Sequence, residues 1–369
     1  MANMERQLTP SEAFWRGRRV FITGHTGFKG SWLTQWLIRL GAVVKGYSLP
    51  PPTKPALFEV LKLEEKVEHC LGDIRDCSRL EAALLTFRPE FVFHLAAQPL
   101  VRQSYLQPRE TYETNVMGTV HLYEAVRKSE SIRVVVTVTT DKCYENREWI
   151  YGYRESDPMG GYDPYSSSKG CAELVTNAYR ASFFNPADFG TGHKVSIATA
   201  RAGNVMGGGD WAADRLIPDC IRSLSKGEEI RVRNPLAVRP WQHVLEPISG
   251  YLALAASLSL EPGRFDGAWN FGPGEDDLAA VEEVVKECID GWGEGSYVVK
   301  PESGLHEAQL LKLDISKARS LLGWHPVFNV SEAVVETVGW YKAYYKGNRD
   351  MISFTNLGID TYSRQGTLA

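Results

Sequence analysis

Arg19-Val20-Phe21-Ile22-Thr23-Gly24-His25-Thr26-Gly27-Phe28-Lys29-Gly30 runs from an apolar stretch straight into three glycines spaced three apart. The run that follows, GSWLTQWLIRL at 30–40, has a helical apolar period, and Gly41 stands where a helix C-terminus takes glycine. Strand, glycine turn and helix in that order make a phosphate cradle. The glycines let the backbone turn tightly and approach a pyrophosphate, while the helix N-terminus offers unpaired N–H groups and a positive dipole end. Gly24, Thr26, Gly27, Phe28, Lys29 and Gly30 are therefore expected to bind a dinucleotide.

Outward from this segment, apolar runs at 42–48, 91–96, 132–139 and 195–200 read as buried parallel strands. Helical patterns at 78–87, 112–128 and 166–183 alternate with them. Repeated β-α-β units predict an α/β fold of the Rossmann type, a doubly wound parallel sheet. Beyond about residue 204 the rhythm changes. Residues 205–243 are rich in Gly, Pro, Trp and Arg and read as irregular; helical patterns return at 245–260, 278–290, 315–322 and 331–345, with a strand-like AWNFG at 268–272. This predicts a dinucleotide-binding domain from 1–203 plus about 243–273, and a smaller, interleaved C-terminal lobe from about 204–242 plus 274–369.

Composition narrows the function. A net charge of -4 over 369 residues argues against nucleic acid as a partner. The six cysteines form no CxxC pair, which fits reduced thiols. The eight histidines show no HxxxH spacing, so no metal site is expected. The N-terminal MANMERQLTPSEAFWRGRR is too charged for a signal peptide, and the apolar run at 251–260 is too short for a bilayer. A cytoplasmic protein with no membrane partner is expected.

A second motif supplies chemistry. Tyr165 and Lys169 are four apart on a helix opening at Pro164, so they share a face. A phenol is a poor base at neutral pH, but a nearby ammonium and a cationic nicotinamide ring stabilise its phenolate, which then deprotonates an alcohol as hydride leaves. At the end of the second strand, where a ribose-binding acid is expected, Ser48 stands instead; the choice between NAD and NADP is left open there. Asp73 and Ile74, after the third strand, are placed to meet the adenine edge or to form a plain turn. Gln98, at the end of the fourth strand, lies where α/β sheets open a ligand crevice. His94 is expected to pack within its strand, His306 to line a nucleotide pocket or sit in a loop, and Trp211 and Trp241 to stack on a base or fill core.

GHTGFKG at 24–30, HLAAQ at 94–98, TNVMGT at 114–119, TTDK at 139–142 and YSSSK at 165–169 resemble the extended short-chain dehydrogenase/reductase family. RAGNVMGGGDWAADRLIPD at 201–219, RNPLAVRPWQHVLEP at 233–247 and LGWHP at 322–326 carry the resemblance further, to the cytidine-type nucleotide-sugar 4,6-dehydratases. It implies NAD as cofactor, CDP-glucose as substrate, and a homodimer or dimer of dimers built on the helices at 112–128 and 166–183. Leu95, Ala96 and Ala97 would touch the cofactor, Lys169 would bind the nicotinamide ribose, and Asn115 would support Lys169 through the backbone or a water. Thr140 would hydrogen-bond the substrate hydroxyl beside Tyr165, and Asp141 would be the acid that protonates the departing C6 hydroxyl. Arg201, Asn204, Arg215, Leu216, Arg233, Arg239 and His306 would face the nucleotide diphosphate. The implied reaction is oxidation at C4, loss of water across C5 and C6, and return of hydride to C6. Thymidine-type relatives carry a glutamate base after the aspartate. Here Lys142 follows, as a base of depressed pKa, as an enolate stabiliser, or as a structural partner of Asp141. A UDP-sugar 4-epimerase, a dehydratase for another nucleotide sugar and a dinucleotide-sensing regulator are the alternatives. An epimerase has no use for Asp141 and Lys142, and a regulator none for Tyr165.

Overall fold

The computed structural model describes residues 10–274, 277–300, 310–347 and 349–366. Seven parallel strands form one sheet in the order Gly267–Phe271, Ser196–Ala202, Val134–Val138, Phe91–His94, Arg19–Thr23, Val43–Ser48, Glu68–Leu71. Side chains alternate across a strand, so Val20 and Ile22 enter one apolar layer and Phe21 the other. The first layer packs against helices Phe28–Arg39 and Leu245–Leu260, the second against Cys77–Phe87 and Gly118–Arg127. The order in which successive strands are added reverses between Arg19–Thr23 and Phe91–His94, which leaves a crevice beyond their carboxyl ends.

The expected strands of the first half all form, with boundaries moved by one to a few residues. AWNFG also becomes a strand, as the sheet's edge beside Ser196–Ala202. The pattern at 112–128 is not one regular helix: Pro108–Tyr112 and Gly118–Arg127 flank a wider π turn at Glu113–Met117. The expected helix at 315–322 likewise ends in a π turn, Ala318–Leu322.

Residues 205–243 are less irregular than their composition suggests. They contain the helix Leu216–Lys226, with Ile217, Cys220, Ile221 and Leu224 buried on one face. Pro218 sits in its first turn, where no N–H is needed, so it opens the helix instead of breaking it. Around this helix lie Val281–Trp292, Val330–Lys346 and a parallel pair of short strands, Ile230–Val232 with Tyr297–Val299.

A final helix, Met351–Gly366, had no clear signal, because its threonines, serines and Gly358 are weak helix formers. Packing decides it. Trp36 meets Tyr362 edge to face, Gln35 donates to Asn356 (2.7 Å) and Arg39 pairs with Asp360 (2.9 Å). Beneath it the buried Glu246 accepts from the backbone of Val327 (3.0 Å) and Phe328 (2.8 Å) and from the Tyr362 hydroxyl (2.6 Å). No described helix is long and apolar enough to cross a membrane.

Candidate active site

The crevice at the strand ends is a cleft of about 1790 Å3. At its floor Gly24 turns the chain with φ +79°, and a Cβ there would lie 2.7 Å from the Ala96 nitrogen. A Cβ on Gly30 would lie 2.1 Å from the Gly24 carbonyl oxygen, so only hydrogen fits where helix Phe28–Arg39 leaves the turn. Its N-cap, Gly27, has no side chain to satisfy the first N–H groups, which suits an anionic ligand. Thr26 bonds the Ser48 hydroxyl (2.7 Å) and donates to the Leu49 carbonyl (2.9 Å), closing the site where an acid was expected. The Asp73 carboxylate is engaged by Arg75 (2.6 Å), which holds it below the usual carboxylate range, and the Tyr47 hydroxyl donates to its carbonyl (2.9 Å). Ile74, Leu95, Ala96 and Ala97 also line the cleft.

Helix Pro164–Phe183 is capped by Asp163, which accepts from Ser166 N (2.9 Å), and it points Tyr165 and Lys169 into the cleft. The Lys169 ammonium donates to the Val138 carbonyl (3.1 Å). Burial pulls Lys169 down to about 8, against the upward pull of Glu173. Tyr165 does not stand as a ready base. Burial pushes its phenol up to about 12, only partly offset by a hydrogen bond with Thr140. A cation bound in front of the phenol would lower it.

Thr140 caps the short turn Asp141–Cys143 and donates to Asp141 Oδ1 (2.9 Å). Asp141 Oδ2 is buried with no hydrogen-bond partner. Burial raises the Asp141 carboxyl above its ordinary range despite Lys142 and Arg239 nearby. A Cβ on Gly203 would lie 2.8 Å from Asp141 Oδ2, so the backbone comes in close behind the acid. The half-buried Lys142 is on the cleft wall. Together these groups can hold a proton on an acid beside a buried phenol.

Asn204, Arg215, Leu216, Arg233 and Arg239 line the far side. Arg215 pairs with Asp210 (2.8 Å) and Arg233 with Asp214 (3.6 Å), while Arg239 donates to the Val238 carbonyl (3.0 Å). Gln98 borders the cleft, but its amide is occupied by Leu100 and Thr111.

One expected placement fails. Arg201 does not face the cleft; it is buried beneath it, forked onto Glu173, with Nη1 on the Tyr144 hydroxyl (2.7 Å). A strand residue one position from the rim points to the opposite face, and Ala202 takes the rim. Asn115 sits in the π turn, accepts from Gln98 N (2.8 Å) and donates to Ser168 Oγ (2.8 Å), the neighbour of Lys169. His94 packs as expected, between Thr23 (2.7 Å) and Thr119 (3.2 Å). Trp211 packs edge-on and tilted among Trp340, Tyr341 and Tyr344, and Trp241 donates to the Ala279 carbonyl (3.1 Å). His306 lies outside the described residues.

Sequence reasoning missed Glu173 and the part played by the Lys29 ammonium. Lys29 was read through its backbone, yet its ammonium donates to the Tyr251 hydroxyl (3.3 Å) inside the site, and burial with the charges of Arg215 and Lys169 brings it down to about 7. Glu173 was missed although it stands four residues beyond Lys169 on the same helix face.

The family model described as GDP-mannose 4,6 dehydratase matches residues 21–261. A CDP-glucose 4,6-dehydratase of Salmonella typhimurium is 55% identical over 350 residues, covering 95% of this chain and 97% of that protein. A UDP-glucose 4-epimerase of Mycolicibacterium smegmatis is 27% identical, over 88% of this chain and 98% of its own length. Among solved structures, a dTDP-glucose 4,6-dehydratase of Streptomyces venezuelae with NAD bound superposes with a TM-score of 0.76 at 23% identity, covering 90% of this chain and 99% of that one. At that identity the likeness speaks for the fold. With the family model spanning most of the sheet and more than half of all positions shared with a full-length relative, the chain belongs to the GDP-mannose 4,6 dehydratase family, within the extended short-chain dehydrogenases/reductases.

Proposed function

We propose that this chain converts CDP-glucose to CDP-4-keto-6-deoxyglucose and water, as a hydro-lyase that uses NAD without net consumption. One observation carries the reading. Beside the buried Tyr165–Lys169 pair stands a buried Asp141 with one unpaired oxygen, its carboxyl raised by burial, a group that epimerisation does not need. The relative sharing 55% of positions bears the CDP-glucose name, which supports the nucleotide.

The glycine cradle, Ser48, Asp73, Ile74 and the Leu95–Ala97 strand end fit a dinucleotide, and Lys169 fits its ribose. NAD held there would supply reversible hydride transfer with the sugar. Tyr165 accepts the C4 hydroxyl proton, with Thr140 bonded to the same hydroxyl. The 4-ketone acidifies the C5 proton; we assign its removal to Lys142, which also returns a proton to C5 as hydride reaches C6. Asp141 Oδ2 gives its proton to the departing C6 hydroxyl. Asn204, Arg215, Leu216, Arg233 and Arg239 hold the nucleotide diphosphate, with Gln98 near the sugar. Residues 1–203 with about 243–273 would form the cofactor domain, and 204–242 with 274–369 the nucleotide-sugar lobe. We further assign the chain to the cytoplasm, to a homodimer through the exposed faces around Leu174 and Phe183, and to deoxysugar supply for an O-antigen type polysaccharide.

The test is incubation with NAD and, separately, CDP-glucose, UDP-glucose, dTDP-glucose and GDP-mannose. A 4-keto-6-deoxy product from CDP-glucose alone is expected. A C4-epimeric product that keeps its C6 hydroxyl would sink the proposal. For Lys142, deuterium wash-in at C5 should disappear in Lys142→Met.

A further inference from the structure

Behind the cleft lies a charge pair with no direct part in the reaction above. Tyr165, Lys169 and Glu173 follow one another at helical spacing on a single buried face. Glu173 is saturated. Thr139 Oγ1 (2.5 Å) and Arg201 Nε (2.9 Å) donate to its Oε1, and Thr199 Oγ1 (2.7 Å) and Arg201 Nη2 (2.8 Å) donate to its Oε2. Side-chain exposure is 4% for Arg201 and 5% for Glu173. The remaining arm of Arg201 reaches the Tyr144 hydroxyl (2.7 Å) and the Glu155 carbonyl (3.1 Å). Tyr144 in turn donates to Asn270 Oδ1 (2.8 Å) on the edge strand, and its ring stacks on Tyr153 at 5.1 Å.

Thr139 and Tyr144 bracket Thr140, Asp141 and Lys142 in the chain. Both ends of that segment are thus pegged, one to Glu173 and one to Arg201, while Glu173 itself is carried on the helix of Tyr165 and Lys169. We propose that the Glu173–Arg201 pair is a positioning device that sets the Thr140-Asp141-Lys142 segment against the Tyr165–Lys169 face. The proposal rests on the dehydratase reading only for its kinetic consequence. A forked arginine–carboxylate contact admits one geometry, unlike a single point contact. Tyr165 and Lys169 are held by their own helix, so loosening the segment at Tyr144 moves the elimination groups and spares the C4 proton transfer, whereas losing the Glu173 charge also lowers Lys169. Displacement of reacting groups by about 1 Å costs about 100-fold in rate.

The variants are Glu173→Gln, which keeps shape and loses charge, and Tyr144→Phe, which keeps the stacked ring and removes only the hydroxyl. Each is compared with the native enzyme on CDP-glucose and NAD. The expected result is a kcat reduced about 10- to 100-fold with little change in KM. Reduced nicotinamide should accumulate in a single turnover, seen by its near-ultraviolet absorbance, because C4 is oxidised faster than water is lost. Crystal structures of the variants should show residues 139–144 displaced relative to Tyr165. Should Glu173→Gln fail to fold, Tyr144→Phe decides the matter alone. A folded variant with native kcat, or Tyr144→Phe with lowered kcat and no reduced nicotinamide, overturns the proposal. If the native enzyme does not act on CDP-glucose, the functional reading fails instead; the crystal structures still decide this one, an unmoved 139–144 segment overturning it.

Discussion

Glu246→Gln should make the protein more stable above neutral pH and leave it nearly unchanged in mild acid. Glu246 is a fully buried carboxyl that receives hydrogen bonds from Val327 N, Phe328 N and the Tyr362 hydroxyl. Burial nevertheless dominates and pushes it from 4.5 to about 7. A raised carboxyl stabilises the fold fully below its unfolded value of 4.5, and that stability is lost as pH rises through about 7. The gap between those values, at about 1.4 kcal/mol per pH unit, is about 3 kcal/mol. Glutamine matches the shape. Its carbonyl oxygen can keep both backbone donors on Oε1, and its amide can donate to Tyr362, whose proton then turns to Ser249 Oγ at 3.0 Å. With an unfolding entropy of about 2 cal/mol/K per residue, about 3 kcal/mol over this chain is about 4 °C in melting temperature. Thermal unfolding of both proteins at pH 5 and pH 8, followed by calorimetry, reads the difference directly. A gap between variant and native that is the same at both pH values would refute the reasoning, because it would place the effect in lost hydrogen bonds and not in charge.

Asp141→Asn removes the acid and keeps the shape; turnover should fall about 100- to 10,000-fold with binding of CDP-glucose by calorimetry preserved, and a fall of only a few-fold would take Asp141 out of that role. Gly30→Ala puts a carbon 2.1 Å from the Gly24 carbonyl and 2.8 Å from His25 Cα, backbone that cannot yield. NAD affinity measured by titration calorimetry should drop at least about tenfold, equivalent to about 1.4 kcal/mol. Lys169 stands at about 8, so its charge is held below that pH and lost above it. The pH profile of kcat/KM should therefore fall through about 8 on the alkaline side, and a profile flat to pH 9.5 would contradict an essential ammonium there.

Period and punctuation made the sheet legible. Continuous β-branched runs such as Val134-Val135-Val136 read as strands buried on both faces, and the glycine loop marked the dinucleotide cradle. Where the sequence was silent, packing had decided against local preference. Met351–Gly366 is a helix because Trp36, Arg39 and Glu246 hold it, and Leu216–Lys226 hides its apolar stripe inside a glycine- and proline-rich stretch. The reacting centre was readable because Tyr165 and Lys169 are neighbours on one helix. Arg201 was misread because a motif gives a position along a strand and not the face its side chain takes. Nothing in the spacing of Asp141 forecast its unpaired, buried oxygen, which depends on segments more than sixty positions apart coming together at Gly203.

The sheet's outer strand, Gly267–Phe271, reaches its place only after the chain has left the sheet, made the excursion through Leu216–Lys226 and returned along helix Leu245–Leu260. A growing polypeptide that has emerged only as far as residue 202 therefore carries Ser196–Ala202 with one edge bare and its apolar face uncovered. No break near 203 yields a soluble half, whatever the boundary on paper. During synthesis the nucleotide fold must wait on the ribosome for its last strand, and a nonsense truncation between 203 and 266 should leave an aggregating fragment, not a working cofactor domain.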